Sequence, residues 1–84
     1  MKIKHRLMRD AMYRYAKNID RPCTTEEMIN HATLLDGTPI ENAKCCSPKS
    51  VLHASSLIMR DPRFIACGLQ THGSRRMLWG VRDV

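Results

Sequence analysis

This 84-residue chain contains four cysteines and four histidines, side chains that can bind zinc or take part in nucleophilic catalysis. Structural zinc sites usually pair ligands about two to four residues apart, and no such cysteine pair occurs. A nucleophile also needs a histidine and an orienting group, which nothing near Cys46 and His53 supplies. We therefore predict no metal, no cofactor and no enzymatic activity. Reduced thiols are expected at Cys23, Cys45, Cys46 and Cys67.

A row of polar and basic side chains lies on one face of a helix predicted over residues 48–60. Asp and Glu are absent between Glu41 and Asp61, so this face offers hydrogen-bond donors to base edges and phosphates without a repelling carboxylate. An ordinary solvated face would be expected to mix charges of both signs. The pattern favours a DNA recognition helix. Its predicted contact residues are Lys49, Ser50, His53, Ser56 and Arg60.

A second group of cations follows the helix, in the connection between two short apolar segments. Residues 64–69 and 77–81 read as two strands, and Trp79 is expected to be buried on a face shared with Met77 and Val81. A basic loop between paired strands suits phosphates or a minor groove. The predicted contact residues in this loop, or wing, are His72, Arg75 and Arg76.

Two amphipathic helices are predicted before the recognition helix. Apolar residues repeat on one face from Lys4 to Ile19 while the opposite face is largely basic, and Arg21-Pro22 is expected to end this helix. A capping box at Thr24–Glu27 opens the second helix. That helix is expected to end at Gly37 and to bury Met28, Ile29, Ala32 and Leu35.

The start of the third helix is predicted from a serine followed by proline, Ser47-Pro48, because proline is well tolerated at the first helical position. A short helical turn is predicted within residues 38–46. The inner face of the third helix is expected to hold Val51, Leu52, Ser55, Ile58 and Met59.

These elements predict an α+β, mainly α, fold: a three-helix winged helix-turn-helix with a two-stranded C-terminal β-hairpin wing. At this length we expect one domain, residues 1–84.

The formal net charge of +6 favours a polyanionic partner. The basic residues are spread over several elements, which disfavours a membrane surface, and no apolar run approaches the roughly 20 residues of a membrane span. Charge interrupts the apolar residues after Met1–Arg6, so no secretion signal is predicted, and a cytoplasmic, nucleoid-associated location is expected.

Four short segments also carry a family resemblance. They are Leu34-Leu35-Asp36-Gly37-Thr38-Pro39, the helical segment Val51 to Arg60, the turn Asp61-Pro62-Arg63 leading into Phe64-Ile65, and Trp79-Gly80-Val81. Their order resembles the HARE-type winged helix, also seen in the amino-terminal domain of the RNA polymerase delta subunit. The similarity covers roughly residues 24–81, with extra residues at 40–47 and a longer, more basic wing. The resemblance implies a DNA-associated or polymerase-associated adaptor without enzymatic activity.

Two functions follow as hypotheses. The first is a small double-stranded DNA-binding transcriptional regulator or accessory factor of phage, plasmid or bacterial type. The alternative is a protein-interaction module that binds RNA polymerase, a nucleoid protein or another host factor. A lone winged helix makes a small footprint, so a homodimer or a partner protein is expected where specificity is high.

Overall fold

The computed structural model describes residues 3–43, 48–69 and 76–82, with side chains from His5 onward. The fold is α+β and mainly helical, as predicted, but the antiparallel sheet has three strands instead of two. In chain order the elements are α1 (Ile3–Ile19), β1 (Cys23–Thr24), α2 (Thr25–His31), a 3₁₀ turn (Ile40–Asn42), α3 (Val51–Met59), β2 (Phe64–Leu69) and β3 (Met77–Val81).

The additional strand is β1, which pairs with the central strand β3 and places Cys23 opposite Trp79. Two residues are too few to show an alternating pattern, so the sequence carried no strand signal here. The resulting element order, with β1 and β2 on either side of β3, is compatible with a winged helix.

The predicted pairing of the last two strands is confirmed, with Phe64 opposite Val81 and Leu69 opposite Met77. The register shifts between Ala66 and Leu69, which marks a bulge in β2. Gly68 lies in this bulge with φ of +110°, a backbone conformation that residues with a Cβ rarely adopt. Beyond Phe64, the side chains of β2 are exposed, and its outer edge is unpaired in the described sheet.

The core is rich in methionine and alanine, and it collects one face from each helix. Trp79 is buried, as its strand pattern predicted, although Met77 stays exposed. Burial raises the pKa of the Cys23 thiol to about 11, so this thiol is protonated at neutral pH. The buried apolar residues are Met8, Ala11, Met12, Ala16, Cys23, Met28, Ala32, Ile40, Ala43, Ala54, Ile58, Phe64 and Trp79.

One of the two hydrogen bonds of the capping box predicted at Thr24–Glu27 is confirmed. The Thr24 hydroxyl accepts a hydrogen bond from the Glu27 backbone N–H at 3.1 Å. The Glu27 carboxylate accepts from the Tyr15 hydroxyl at 2.7 Å and from Arg21 Nη2 at 2.6 Å. The hydrogen bond to Glu27 raises the pKa of the Tyr15 hydroxyl to about 12. The hydrogen bond from Arg21 lowers the pKa of the Glu27 carboxyl. The carboxylate therefore links α1 to α2 instead of closing a local capping box.

The predicted end of α2 at Gly37 is wrong, because the helix stops at His31. Beyond it, Thr33 forms a bridge with Pro39, and the Asp36 carboxylate accepts the Thr38 backbone N–H at 3.0 Å. Asp36 and Gly37 favour such a turn, and the residue before proline disfavours helix, so local turn chemistry outweighs the apolar spacing. Leu35, predicted to be in the core, is 88% exposed on this turn.

A buried ionic network connects α1 to the turn between α3 and β2. Asp61 is buried, and its Oδ2 accepts from Arg9 Nη1 at 3.3 Å and from Arg63 Nη2 at 2.8 Å. Asp61 Oδ1 accepts from the Arg63 backbone N–H at 3.0 Å and from Arg63 Nε at 3.1 Å. Arg63 Nη2 also reaches Asp10 in α1 at 2.9 Å, and its guanidinium lies 4.6 Å from the centre of the Tyr13 ring.

The protonation of Asp61 is set by two opposing effects. Burial raises its pKa, but hydrogen bonds from Arg63 and the positive charges of Arg63 and Arg9 more than offset this, so the pKa is lowered overall. Hydrogen bonding to Asp61 in turn raises the pKa of Arg63. Asp61 therefore stabilises the fold as a carboxylate.

Asp61→Asn should lower the free energy of unfolding by about 3–5 kcal/mol, because two arginines lose their buried counter-charge. Urea denaturation at neutral pH measures the change. Because the folded-state pKa is lowered, the stabilisation by Asp61 is present above the ordinary carboxyl pKa of about 4 and is lost as pH falls below it. Stability of the native sequence should therefore fall more steeply in acid than that of the variant.

The control is Asp36→Asn on an exposed turn, where the side-chain oxygen of the substituted residue can still accept the Thr38 backbone N–H. It should cost less than about 1 kcal/mol. Equal losses for the two variants would contradict the structural role of Asp61.

Candidate nucleic-acid interface

Helix α3, the predicted recognition helix, is shorter than predicted and begins at Val51 instead of Pro48. The Ser50 hydroxyl accepts a hydrogen bond from the His53 backbone N–H at 3.0 Å, so Ser50 is the capping residue. Ser47, which the sequence suggested as the cap, lies outside the described residues. Lys49 therefore precedes the helix, and Arg60 follows its last residue as the C-terminal cap.

The buried face of α3 also differs from the prediction. Ala54 and Ile58 are buried in the core, whereas Leu52 is 82% exposed and Met59 is 70% exposed. The apolar residues of α3 fit two overlapping stripes, and the predicted stripe is the one with the larger side chains. The small Ala54 side chain allows close packing, and a 2.8 Å hydrogen bond from Ser55 to the Thr25 hydroxyl joins α3 to α2.

The outward surface of α3 brings together Lys49, Ser56 and Arg60, as predicted, and all three are exposed. Leu52 and Met59 share this surface and were missed as candidate contacts, because the rotation of the helix could not be fixed from its pattern. We call these five residues the α3 surface. No residue of the described segment 48–60 carries a carboxylate.

His53, also predicted to face DNA, is partly buried between α3 and α1. Its Nδ1 accepts the Lys49 backbone N–H at 3.3 Å, and its ring centre lies 5.3 Å from that of His5, edge to face. These contacts place the ring at the margin of the α3 surface, and they bring the first turns of α1 close to the start of α3.

Of the predicted wing cations, Arg76 is described, while His72 and Arg75 lie outside the described residues. Arg76 forms an ion pair with Glu26 in the first turn of α2. Together with Met77, this pair borders a groove of about 320 Å³ beside Val51 and Leu52. Arg76 therefore lies next to α3, with its charge matched by a carboxylate.

No known protein family, curated protein or solved structure matches this chain. No group of three or more metal-binding side chains occurs within the described ranges. In the same part of the chain, no helix has the length and apolar character needed to cross a membrane.

Ser50→Ala should lower the free energy of unfolding by about 1 kcal/mol, because the N-terminal cap of α3 is lost. Ser56→Ala is the matched control, since Ser56 is exposed on the same helix, and its cost should stay within about 0.5 kcal/mol. Urea denaturation of both variants measures the difference. A loss for Ser56 as large as that for Ser50 would refute the assigned cap.

Proposed function

We propose that this protein binds double-stranded DNA through the α3 surface, as a small winged-helix transcriptional regulator or accessory factor. The observation that carries the proposal is an outward helix face with cations at both ends and no carboxylate on the helix. An α-helix with its side chains is about 10–12 Å wide, which fits the roughly 12 Å major groove of B-DNA. The net charge of +6 would attract the duplex over longer distances.

The positions of the side chains give each a proposed role. Lys49 and Arg60 lie at opposite ends of a nine-residue helix about 14 Å long, where they would contact phosphates. Ser56, between them, would donate to or accept from a base edge. Leu52 and Met59 would contact thymine methyl groups, the apolar feature of the major groove.

The wing is proposed to hold the neighbouring backbone or minor groove through His72, Arg75 and Arg76. The ion pair between Arg76 and Glu26 is exposed, and such pairs contribute little, so a phosphate could replace the carboxylate at small cost. Arg76 is expected to contribute less to DNA affinity than a cation without a counter-charge.

Replacing both end cations, Lys49→Gln with Arg60→Gln, should weaken binding to all duplex sequences and reduce the log–log salt slope by up to about 2. Each phosphate contact contributes about 0.9 to that slope through the release of condensed counterions. Ser56→Ala should instead mainly reduce the difference in affinity between preferred and random duplexes. A base contact contributes roughly 1–3 kcal/mol to that difference. Fluorescence anisotropy titrations at several salt concentrations measure both effects.

Arg21→Gln is the control for charge, because it removes a cation that pairs with Glu27 and does not belong to the α3 surface. It should leave the salt slope nearly unchanged. The DNA function fails if the folded protein does not bind duplex at low salt, or if it binds with no salt dependence.

A second function, the protein-interaction module, is favoured by the exposed apolar side chains of α3. Leu52 and Met59 offer side chains of the kind that fill a partner's pocket, and the groove beside Leu52 is open to solvent. In this case RNA polymerase or a nucleoid protein is the proposed partner.

Leu52→Gln with Met59→Gln separates the two functions, because it removes the apolar groups and keeps Lys49 and Arg60. A DNA-binding protein should keep its affinity for random duplex within about threefold, since phosphate contacts dominate that affinity. A protein-interaction module should lose at least tenfold in affinity for purified bacterial RNA polymerase core, measured by biolayer interferometry. No binding of the native sequence to polymerase would reject that partner.

A further inference from the structure

A second basic surface lies on α1, on the side next to the turn between α3 and β2. Arg6, Asp10, Tyr13 and Arg14 follow one another at helical spacing along this face. Together with the turn between α3 and β2, they border an open cleft of about 550 Å³, which we call the α1 cleft. Four arginines and two aspartates line it: Arg6, Arg9, Arg14, Arg63, Asp10 and Asp61.

The two aspartates of the α1 cleft are already engaged. Asp61 is held by Arg9 and Arg63, and Asp10 accepts from Arg63 Nη2 at 2.9 Å. Among the described residues, no carboxylate lies within ion-pair distance of Arg6 or Arg14. The cleft therefore keeps a net positive charge at its two outer arginines.

One of these arginines is also held in place. Arg14 Nη2 donates to the Thr33 carbonyl oxygen at 3.0 Å, and a carbonyl is a neutral acceptor. The bond restricts the guanidinium without compensating its charge. An arginine fixed in this way loses less conformational entropy when it binds an anion, and its remaining N–H groups can donate to a phosphate.

The spacing of the cations points to a polymer. Arg14 follows Arg6 by eight residues, which corresponds to about 12 Å along a helix. This separation of the two backbone positions exceeds the size of a small anion, whereas a nucleic-acid strand places a phosphate about every 3.4 Å along the duplex axis. Phosphates of one backbone segment could therefore contact both arginines.

The remaining lining favours a duplex over a single strand or a protein. Tyr13 is the aromatic residue of the cleft, and its ring packs against Arg63 at 4.6 Å and against the Phe64 ring at 6.2 Å between centres. It is therefore poorly placed to stack on unpaired bases. The described lining contains no aliphatic side chain, although the core of a protein interface is normally apolar.

The α1 cleft and the α3 surface lie on different helices, and both helices also contribute residues to one core. Met8 and Met12 of α1 and Ala54 and Ile58 of α3 belong to the same buried cluster. We propose that the α1 cleft binds the phosphate backbone of a second DNA duplex, so that one molecule can hold two segments. The bridging of two duplexes rests on the proposed function, because α3 is assigned to the first duplex.

Energy transfer between two labelled duplexes tests this inference. One duplex carries a donor and the other an acceptor, and the native protein should bring them together at low salt. Arg6→Gln with Arg14→Gln should reduce the transfer at least tenfold while keeping single-duplex affinity, measured by anisotropy, within about threefold. Lys49→Gln with Arg60→Gln removes the same charge from α3 and should weaken the single-duplex affinity instead.

One further variant and two further measurements serve as controls. Arg6→Lys with Arg14→Lys keeps the charge and should keep the transfer, and circular dichroism checks that every variant is folded. Sedimentation velocity should give the same oligomeric state for the native protein and the α1 variant, so that a lost dimer cannot explain lost bridging.

The outcomes are distinct. Unchanged transfer in the Arg6→Gln, Arg14→Gln variant, or no transfer with the native protein, would overturn the inference. Loss of all duplex binding in that variant, with the α3 variant unaffected, would support the α1 cleft as a DNA site and refute the proposed function of α3. A poly-glutamate peptide that displaces the second duplex more effectively than unlabelled duplex at equal charge would indicate a protein partner and overturn the inference.

Discussion

The arrangement of the helices depends on one buried carboxylate. An ionised Asp61 is stable in the interior because Arg9 and Arg63 compensate its charge and the Arg63 backbone N–H completes its hydrogen bonds. These bonds join α1 to the residues that follow α3 directly. The position of α3 against α1 is therefore fixed by a polar contact with strict geometry, in addition to apolar packing that a core rich in methionine could satisfy in several ways.

The same network connects the two basic surfaces. Asp61 follows Arg60, the last cation of the α3 surface, while its partner Arg63 lines the α1 cleft. A change in the orientation of the Asp61 turn would therefore move groups on both surfaces. The positions of the proposed DNA contacts on both surfaces therefore depend on the Asp61 turn.

Local patterns predicted much of the fold, and contacts between distant residues account for what they missed. Helix α1, the Thr24 cap, the pairing of β2 with β3 and the burial of Trp79 each follow from spacing within a few residues. Arg9 and Asp61 are 52 positions apart, and no periodic pattern in the sequence predicts their pairing. At the candidate site, the polar residues Lys49, Ser56 and Arg60 were found from their spacing. The exposure of Leu52 and Met59 was not predicted. The buried residue that orients α3 towards the core is Ala54, whose small side chain gives a weak apolar signal in the sequence.

The bulge at Gly68 affects how the edge strand of the sheet can pair with another chain. Strand β2 lies at the border of the sheet, and an unpaired border strand can act as a template for another chain. The bulge interrupts the regular spacing of its amide and carbonyl groups, and the positive φ at Gly68 bends the strand where a neighbouring chain would have to align. Because a residue with a Cβ is strained in this conformation, substitution at this position would disfavour the bulge. Apart from the two chain neighbours, no described atom lies within 4 Å of the added Cβ, so the strain would fall on the edge strand and not on the core.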